Sequence, residues 1–275
     1  MHKAIALGEF ADEDWKNYRK ITIMKILITS GGTKVPIDRV RSITNMSRGT
    51  FGSRIADAFF AEGHDRDGGE KEQIDKITFF MAVGSKKPTL QDVYEEAYES
   101  GYTPIEYEYY STFDSYKVGI EEILKREKYD IIVVAAAVSD YGVANYYDGK
   151  YRSREDDMCI KLVKLPKILP IMRELASDSI ICGFKLLVDS TDDQLLDAMK
   201  KQVDESGVDL VIGNDLRDIK ANNHKLLVIS RHNPLPRRYS MPPPSMRLPS
   251  RTYQLAENVM SECLSELEYK RSANK

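Results

Sequence analysis

An α/β fold, with a mostly parallel sheet and helices on both faces, follows from three features of the sequence. From Met24 onward, short β-rich runs alternate with longer amphipathic ones, the pattern of strands joined by helical crossovers. The run Ile131, Ile132, Val133, Val134, Ala135 and Ala136 is apolar throughout, as a central strand covered on both sides must be. Phe51, Ile55 and Phe59 recur every fourth residue, which puts them on one face of a helix.

Taken in order, these rules predict strands at Lys25–Thr29, Lys76–Val83, Thr103–Tyr107, Asp130–Ala136, Ile180–Phe184 and Leu210–Ile212, with an alternating strand over Cys159–Lys164. Helices are predicted at Gly49–Glu62, Gln91–Ser100, Ser115–Lys125, Ile168–Ala176, Asp193–Glu205 and Thr252–Tyr269. Residues 1–23 are mixed and polar and read as an N-terminal appendage to one domain over 24–275. Gly63–Asp75 reads as a charged, glycine-containing surface loop. Arg231–Ser250 holds six of the eleven prolines and is expected to form neither regular helix nor sheet interior.

The chain of 275 residues, 42% hydrophobic and 30% charged, is long enough to bury a substantial core. Its net charge of -3 argues against general nucleic-acid binding, which shows as a basic excess. Three widely spaced cysteines, Cys159, Cys182 and Cys263, suggest neither a disulfide framework nor a zinc site and fit a reducing cytoplasm. No apolar stretch has the length of a membrane span, and no secretory signal pattern opens the chain.

Five segments carry candidate chemistry. The first, Ser30-Gly31-Gly32-Thr33, follows the first strand, where glycines let backbone N–H groups approach an anion; the spacing matches neither a dinucleotide fingerprint nor a P-loop. The second, Asn45-Met46-Ser47-Arg48-Gly49, leads into the first helix, so Asn45 and Ser47 are candidate N-caps beside an anion-favouring helix start. The third, Ala135-Ala136-Ala137-Val138-Ser139-Asp140, closes the central strand; small alanines leave room for a ligand, and Asp140 accepts from ribose hydroxyls, helps hold a metal-bound phosphate, or caps a turn. The fourth, Lys150, Arg152 and Arg154, is either a solvated charged face or the cations of a triphosphate site. The fifth joins Gly183-Phe184-Lys185 to Asn214-Asp215, with Phe184 either a stacking platform or core, and Asn214-Asp215 either a ligand contact or a turn.

Together, ITSGGTKVPIDRVRSITNMSRGTFG, AAAVSDY, IKLVKLPKIL, GFKLLVDSTDDQL and DLVIGND resemble, in order and spacing, the phosphopantothenate-cysteine ligase family, from about Met24 to Ser230. The tract after Gly183 looks most like the stand-alone bacterial ligases, which lack the flavin decarboxylase half, so no flavin is expected. The resemblance implies a Rossmann-like domain with a small antiparallel strap and dimerisation element, hence a homodimer. It implies a reaction between 4'-phosphopantothenate, cysteine and a nucleoside triphosphate with Mg²⁺, the bacterial likeness favouring CTP over ATP. By the same resemblance Asn45 and Lys150 are catalytic, and Ser47, Arg48 and Gly49 line the phosphopantothenate side. Gly31, Gly32, Thr33, Ala135, Ala136, Ala137, Asp140, Lys150, Pro166, Lys167, Ile168, Leu169, Phe184 and Lys201 bind the nucleotide; no metal ligand is assigned. The family's Lys-x-Lys-Lys strap reads Lys150-Tyr151-Arg152-Ser153 here, which keeps positive charge but departs from the pattern.

Two other functions are weighed against this one. An NAD(P)-dependent reductase would share the fold but lacks the glycine spacing, and its Tyr-xxx-Lys pair is met only by Tyr146 and Lys150 in a segment without helical pattern. A non-catalytic nucleotide-binding protein would keep the fold and release no pyrophosphate.

Overall fold

The computed structural model describes residues 23–63, 73–90, 105–152, 158–221, 223–242 and 251–273. Its strands are β1 (Ile23–Ser30), β2 (Lys34–Pro36), β3 (Ser42–Thr44), β4 (Gln73–Ala82), β5 (Ile105–Tyr110), β6 (Ile131–Val134), β7 (Tyr141–Val143), β8 (Leu162–Lys164), β9 (Ile180–Leu187), β10 (Leu210–Asp215), β11 (Lys225–Ser230) and β12 (Arg237–Ser240). Its helices, numbered among the described residues, are α1 (Thr50–Gly63), α2 (Phe113–Arg126), α3 (Ile168–Leu175), α4 (Asp192–Ser206), α5 (Leu216–Lys220) and α6 (Arg251–Ala273).

Eight strands form the main sheet in the order β12-β11-β10-β9-β6-β1-β4-β5. From β5 to β10 all neighbours are parallel, while β11 and β12 add antiparallel to one edge. The expected mostly parallel sheet is therefore present. Val133 stands at its centre, level with Ile28 of β1 and Cys182 of β9.

Side-chain alternation divides the core in two. Ile26, Ile28, Val133, Cys182 and Ile212 face α1 and α6, packing on Ile55, Phe59, Leu255 and Val259. Leu27, Ile132, Val134, Ile181 and Val211 face the other way, toward Ile120 and Ile123 of α2, Met172 of α3 and Met199 of α4. Each such aliphatic side chain contributes ~1.5–3 kcal/mol when fully removed from water. This two-sided burial explains why β6 reads as an unbroken apolar run.

Helix limits follow local chemistry. Reciprocal capping boxes start α2 at Thr112 and Ser115 and α4 at Thr191 and Gln194. Gly207, at φ 72°, ends α4 in the left-handed conformation that terminates many helices.

Several expectations are revised. β6 stops at Val134, two residues early: its pairing with β9 ends there, while Ala135 N–H still bonds Thr29 of β1 and Ala137 bonds the turn after it. β11 was not foreseen, although Leu226, Leu227, Val228 and Ile229 are all buried. The proline-rich segment contributes β12, which sits at the sheet edge directly after Pro236, where a missing N–H costs no ladder bond; residues 243–250 lie outside the described ones. Of the expected 63–75 loop, β4 already begins at Gln73 and 64–72 lie outside the described residues, as do 1–22 and the helix expected at Gln91–Ser100. The alternating strand contracts to β8, paired antiparallel with β7. All three cysteines are free, with Cys182 and Cys263 buried and Cys159 exposed.

At the sheet's opposite end, Glu127 pairs with Lys25 at 2.8 Å and Lys76 at 2.9 Å. Burial alone would raise its carboxyl, but hydrogen bonds and charge from Lys25 and Lys76 outweigh that and bring it down to about 2. The folded value lies below the unfolded value of roughly 4.3, so this contribution is complete above pH ~5 and lost as pH falls toward 2. Glu127→Gln is expected to cost on the order of 1–2 kcal/mol at neutral pH, allowing for solvent screening, and to flatten the acid limb of stability. Urea titrations at several pH values check this; an acid limb as steep as the parent's would refute it.

Candidate nucleotide site

β1 ends in the Ser30-Gly31-Gly32-Thr33 turn, at the carboxyl edge where open α/β sheets collect ligands. Gly31 has φ 94°, and a Cβ there would lie 2.1 Å from Ser85 Oγ. A Cβ on Gly32 would lie 2.7 Å from the Asn45 carbonyl oxygen. The glycines are therefore required by close approach of neighbouring loops, whatever they do for a ligand.

The turn is tied to the end of β6 by a short ladder. Ala137 N–H donates to the Gly31 carbonyl at 2.7 Å, and Thr33 N–H donates to the Ala137 carbonyl at 3.2 Å. Thr33 Oγ1 accepts from Ser139 N–H at 2.9 Å and lies 3.0 Å from Ser139 Oγ. Asn45 Nδ2 also donates to the Ala137 carbonyl, at 2.8 Å. The backbone of one alanine thus joins the glycine turn, the Asn45 loop and the β6 exit.

This geometry revises the capping role expected of Asn45 and Ser47. Asn45 donates one amide N–H to Ala137, and Ser47 Oγ reaches only Gly49 N–H, at 3.4 Å. The first helical bond, from Ser53 N–H, ends on the carbonyl of Gly49, which makes Gly49 the cap. Gly49, at φ 71°, packs on Ser30, whose hydroxyl donates to that same carbonyl at 3.1 Å. The helix start is nevertheless held beside the glycine turn, with Arg48 exposed next to it.

The predicted residues beyond Ala137 are placed as follows along the chain. Asp140 lies three residues beyond Ala137, exposed, and pairs with Lys167 at 2.6 Å. Its carbonyl accepts from Leu165 N–H, so Asp140, Pro166 and Lys167 converge at one end of the β7–β8 pair. Ile168 and Leu169, by contrast, turn into the core. Phe184 is half-buried and meets Phe51 edge-on at 5.9 Å, and Phe51 in turn lies 5.2 Å from His224. Since Phe51 opens α1 and Gly183 pairs with Val134, this aromatic group adjoins the Asn45 loop and the β6 exit.

Lys150 is exposed in the segment after β7, and Arg154 lies outside the described residues. Lys201 is not brought to the strand ends: it is exposed well along α4, 3.7 Å from Glu205. Asn214 and Asp215 have local duties. Asn214 Nδ2 faces His224 Nε2 at 3.2 Å, and Asp215 caps α5 while gripping the β9–α4 loop. Ser190 N–H first, then burial acting upward, then the Ser190 hydroxyl and the N–H groups of Arg217 and Asp189 leave the Asp215 carboxyl at about 2.

Two members of the aromatic group are not marked by the sequence. Phe51 was counted as core by its helical period, and His224 carries no local motif. Burial holds the His224 imidazole below its ordinary pKa, favouring the neutral ring. A cavity of about 80 Å³ lies between Thr191, Asn214, Arg217 and Tyr239; of the candidate residues only Asn214 and Asp215 line it. Among the described residues no group of three or more His, Cys, Asp or Glu side chains is placed to hold a metal ion, and no helix is long and apolar enough to cross a membrane.

Thr33→Val keeps the volume but leaves Ser139 N–H without its acceptor, at an expected cost of about 1–3 kcal/mol. A urea midpoint equal to the parent's would show that this bond does not hold the turn.

Against known proteins, the family described as DNA/pantothenate metabolism flavoprotein C-terminal domain matches residues 21–66 and 119–241. A coenzyme A biosynthesis bifunctional protein CoaBC of Thermococcus kodakarensis is 30% identical over 207 residues, 75% of this chain and 45% of that protein. The chain thus spans less than half the length of that relative. The phosphopantothenate-cysteine ligase CAB2 of Saccharomyces cerevisiae is 26% identical over 258 residues, 76% of this chain and 68% of the yeast protein. A solved structure of a Cab2 variant in complex with phosphopantothenate-cysteine superposes with a TM-score of 0.69 at 23% identity, over 96% of this chain and 91% of that one, which establishes the shared Rossmann-like fold.

Proposed function

The chain belongs to the DNA/pantothenate metabolism flavoprotein C-terminal domain family, and on that premise we propose that it joins 4'-phosphopantothenate to L-cysteine in coenzyme A biosynthesis. The carboxylate of phosphopantothenate attacks the α-phosphorus of a nucleoside triphosphate and expels pyrophosphate. The amine of cysteine then attacks the acyl carbon of the mixed anhydride, loses a proton, and releases the nucleoside monophosphate.

The observation that carries this reading is the Asn45 bond to Ala137. It sets an amide side chain beside a glycine turn and a helix start, at the exit of the central strand. Two polyanions must meet here, and fixed backbone donors and a helix N-terminus offset their charge without reorganising. In this proposal Asn45 holds the acyl-nucleotide, and Ser47, Arg48 and Gly49 face phosphopantothenate. Gly31, Gly32, Thr33, Ala135–Ala137 and Asp140 contact the nucleotide, with Pro166, Lys167 and Phe184 near its base. Lys150 supplies positive charge to the triphosphate, and Lys201, exposed along α4 beside Glu205, stands outside this set.

Mg²⁺ fits as a companion of the triphosphate rather than as a resident ion. Its coordination is satisfied by phosphate oxygens and water with one or two carboxylates, and Asp140 is the carboxylate at this rim. When bound, the ion would neutralise phosphate charge. We take CTP as the preferred nucleotide, following the likeness to bacterial ligases, and the cytoplasm as the working compartment. The small antiparallel pairs β2–β3 and β7–β8 expose Ile43, Tyr141, Leu162 and Val163, each at least 40% accessible, and this apolar surface is the proposed homodimer contact.

A pyrophosphate-release assay with each of the four triphosphates tests the proposal. Release is expected only with phosphopantothenate and nucleotide together, fastest with CTP; release independent of phosphopantothenate would overturn it. Asn45→Ala is expected to slow transfer to cysteine by at least about 100-fold while nucleotide affinity changes less than ~5-fold. Equal turnover of variant and parent would remove Asn45 from the mechanism.

A further inference from the structure

Lys150 is proposed above to meet the triphosphate, yet its side chain is exposed and its segment forms no strand. What aims it lies on the opposite loop. Asp38, between β2 and β3, is 3% exposed and its carboxylate is shared between two loops. Oδ1 accepts from the N–H groups of Val40 at 2.8 Å and Arg41 at 2.7 Å, closing its own turn. Oδ2 accepts from Arg41 Nε at 3.2 Å and from Tyr151 N–H, 113 residues away, also at 3.2 Å.

The same turn holds the Lys150 segment at further points. Arg41 Nη2 donates to the Tyr151 carbonyl at 2.7 Å, so both polar groups of the Tyr151 backbone are engaged. On the other flank, Arg39 N–H donates to the Gly149 carbonyl at 3.0 Å, and the Arg39 guanidinium grips Asp148 at 2.7 and 3.0 Å. Tyr147 N–H donates to the Ile37 carbonyl at 3.2 Å. The backbone is thus pinned on both sides of Lys150 by a turn that runs four residues later into Asn45. Surface ion pairs such as Arg39–Asp148 are worth little alone, whereas a buried carboxylate bonded to backbone is directional and hard to replace.

We infer that Asp38 is a positioning residue: through Tyr151 and Arg41 it sets the register of the Lys150 segment relative to the Asn45 loop, so that the ammonium is presented to the anionic reactant. The inference rests on the proposed role of Lys150. Asp38→Asn is the discriminating change, because an asparagine oxygen still serves Val40 and Arg41 N–H while its amide faces the Tyr151 and Arg41 donors and breaks the link.

The test is a double-mutant cycle on pyrophosphate release with CTP and phosphopantothenate. Asp38→Asn alone is expected to lower kcat/KM for the nucleotide about 10-fold or more, and less than ~2-fold further in a Lys150→Ala background. Full additivity would overturn the inference, since Asp38 would then act elsewhere. A Lys150→Ala variant as active as the parent would refute Lys150 itself and this inference with it, leaving the ligase reading to stand on Asn45. Amide exchange supplies a readout free of catalysis: Asp38→Asn should speed exchange at Tyr151 and leave β1 protected, and unchanged exchange at Tyr151 would refute the tether. Should Asp38→Asn fail to fold, Tyr151→Pro, which deletes the donor, is expected to reproduce the activity loss relative to Tyr151→Ala, which keeps it; equal activity of those two variants would overturn the inference.

Discussion

The backbone of Ala137 is the constraint on which the site depends. Its N–H binds Gly31, and its carbonyl accepts from both Thr33 N–H and Asn45 Nδ2. A carbonyl oxygen has two lone pairs, and here both have a donor from a different side of the same rim. Beyond Val134, where β6 ends, Ala137 stays bridged in parallel to Gly32, and the glycines after β1 let Ser85 and the Asn45 carbonyl pack against the same turn. Shifting any one of the three loops would break at least one of these bonds between half-buried groups.

Rigid support lies beneath that rim. The carbonyl of Ser30 accepts from the Tyr110 hydroxyl at 2.8 Å, and Thr29 Oγ1 from the Tyr116 hydroxyl at 3.1 Å. Both tyrosines are buried with Phe80, and burial holds their hydroxyls protonated as donors well above the ordinary tyrosine range. A two-sided core thereby fixes the strand end, and the strand end fixes the turn. Above it the site is open, with Arg48, Asp140, Lys150 and Lys167 all exposed, so charged reactants can enter from solvent while the donors below stay in place.

Sequence reasoning reached the sheet because burial on two faces leaves a direct mark: Ile131 to Val134 are apolar without alternation, and no soluble edge strand would be. It missed β11 and β12 because an antiparallel edge has no crossover helix to announce it, and Pro236 argued for irregular structure where an edge strand tolerates it. At the site, Gly31, Gly32, Asn45 and Ala137 were legible because close approach demands small residues and a short polar amide. The partner of that amide was not legible, since a cap four residues away and a carbonyl 92 residues away are equally available to an asparagine.

Sequence alone determined the alternation of strands and helices, the central strand, the chemistry-bearing segments and their family likeness, because these rest on local periodicity and on residue types in order. Only the tertiary structure decided that Gly49 rather than Asn45 caps α1, that Phe51 meets Phe184, that Asp38 holds Tyr151, and that Lys201 stands away from the strand ends. Each of those is a contact between segments distant along the chain. Hydrogen-bond donors and aromatic faces choose partners by proximity, and proximity is created only when the sheet assembles.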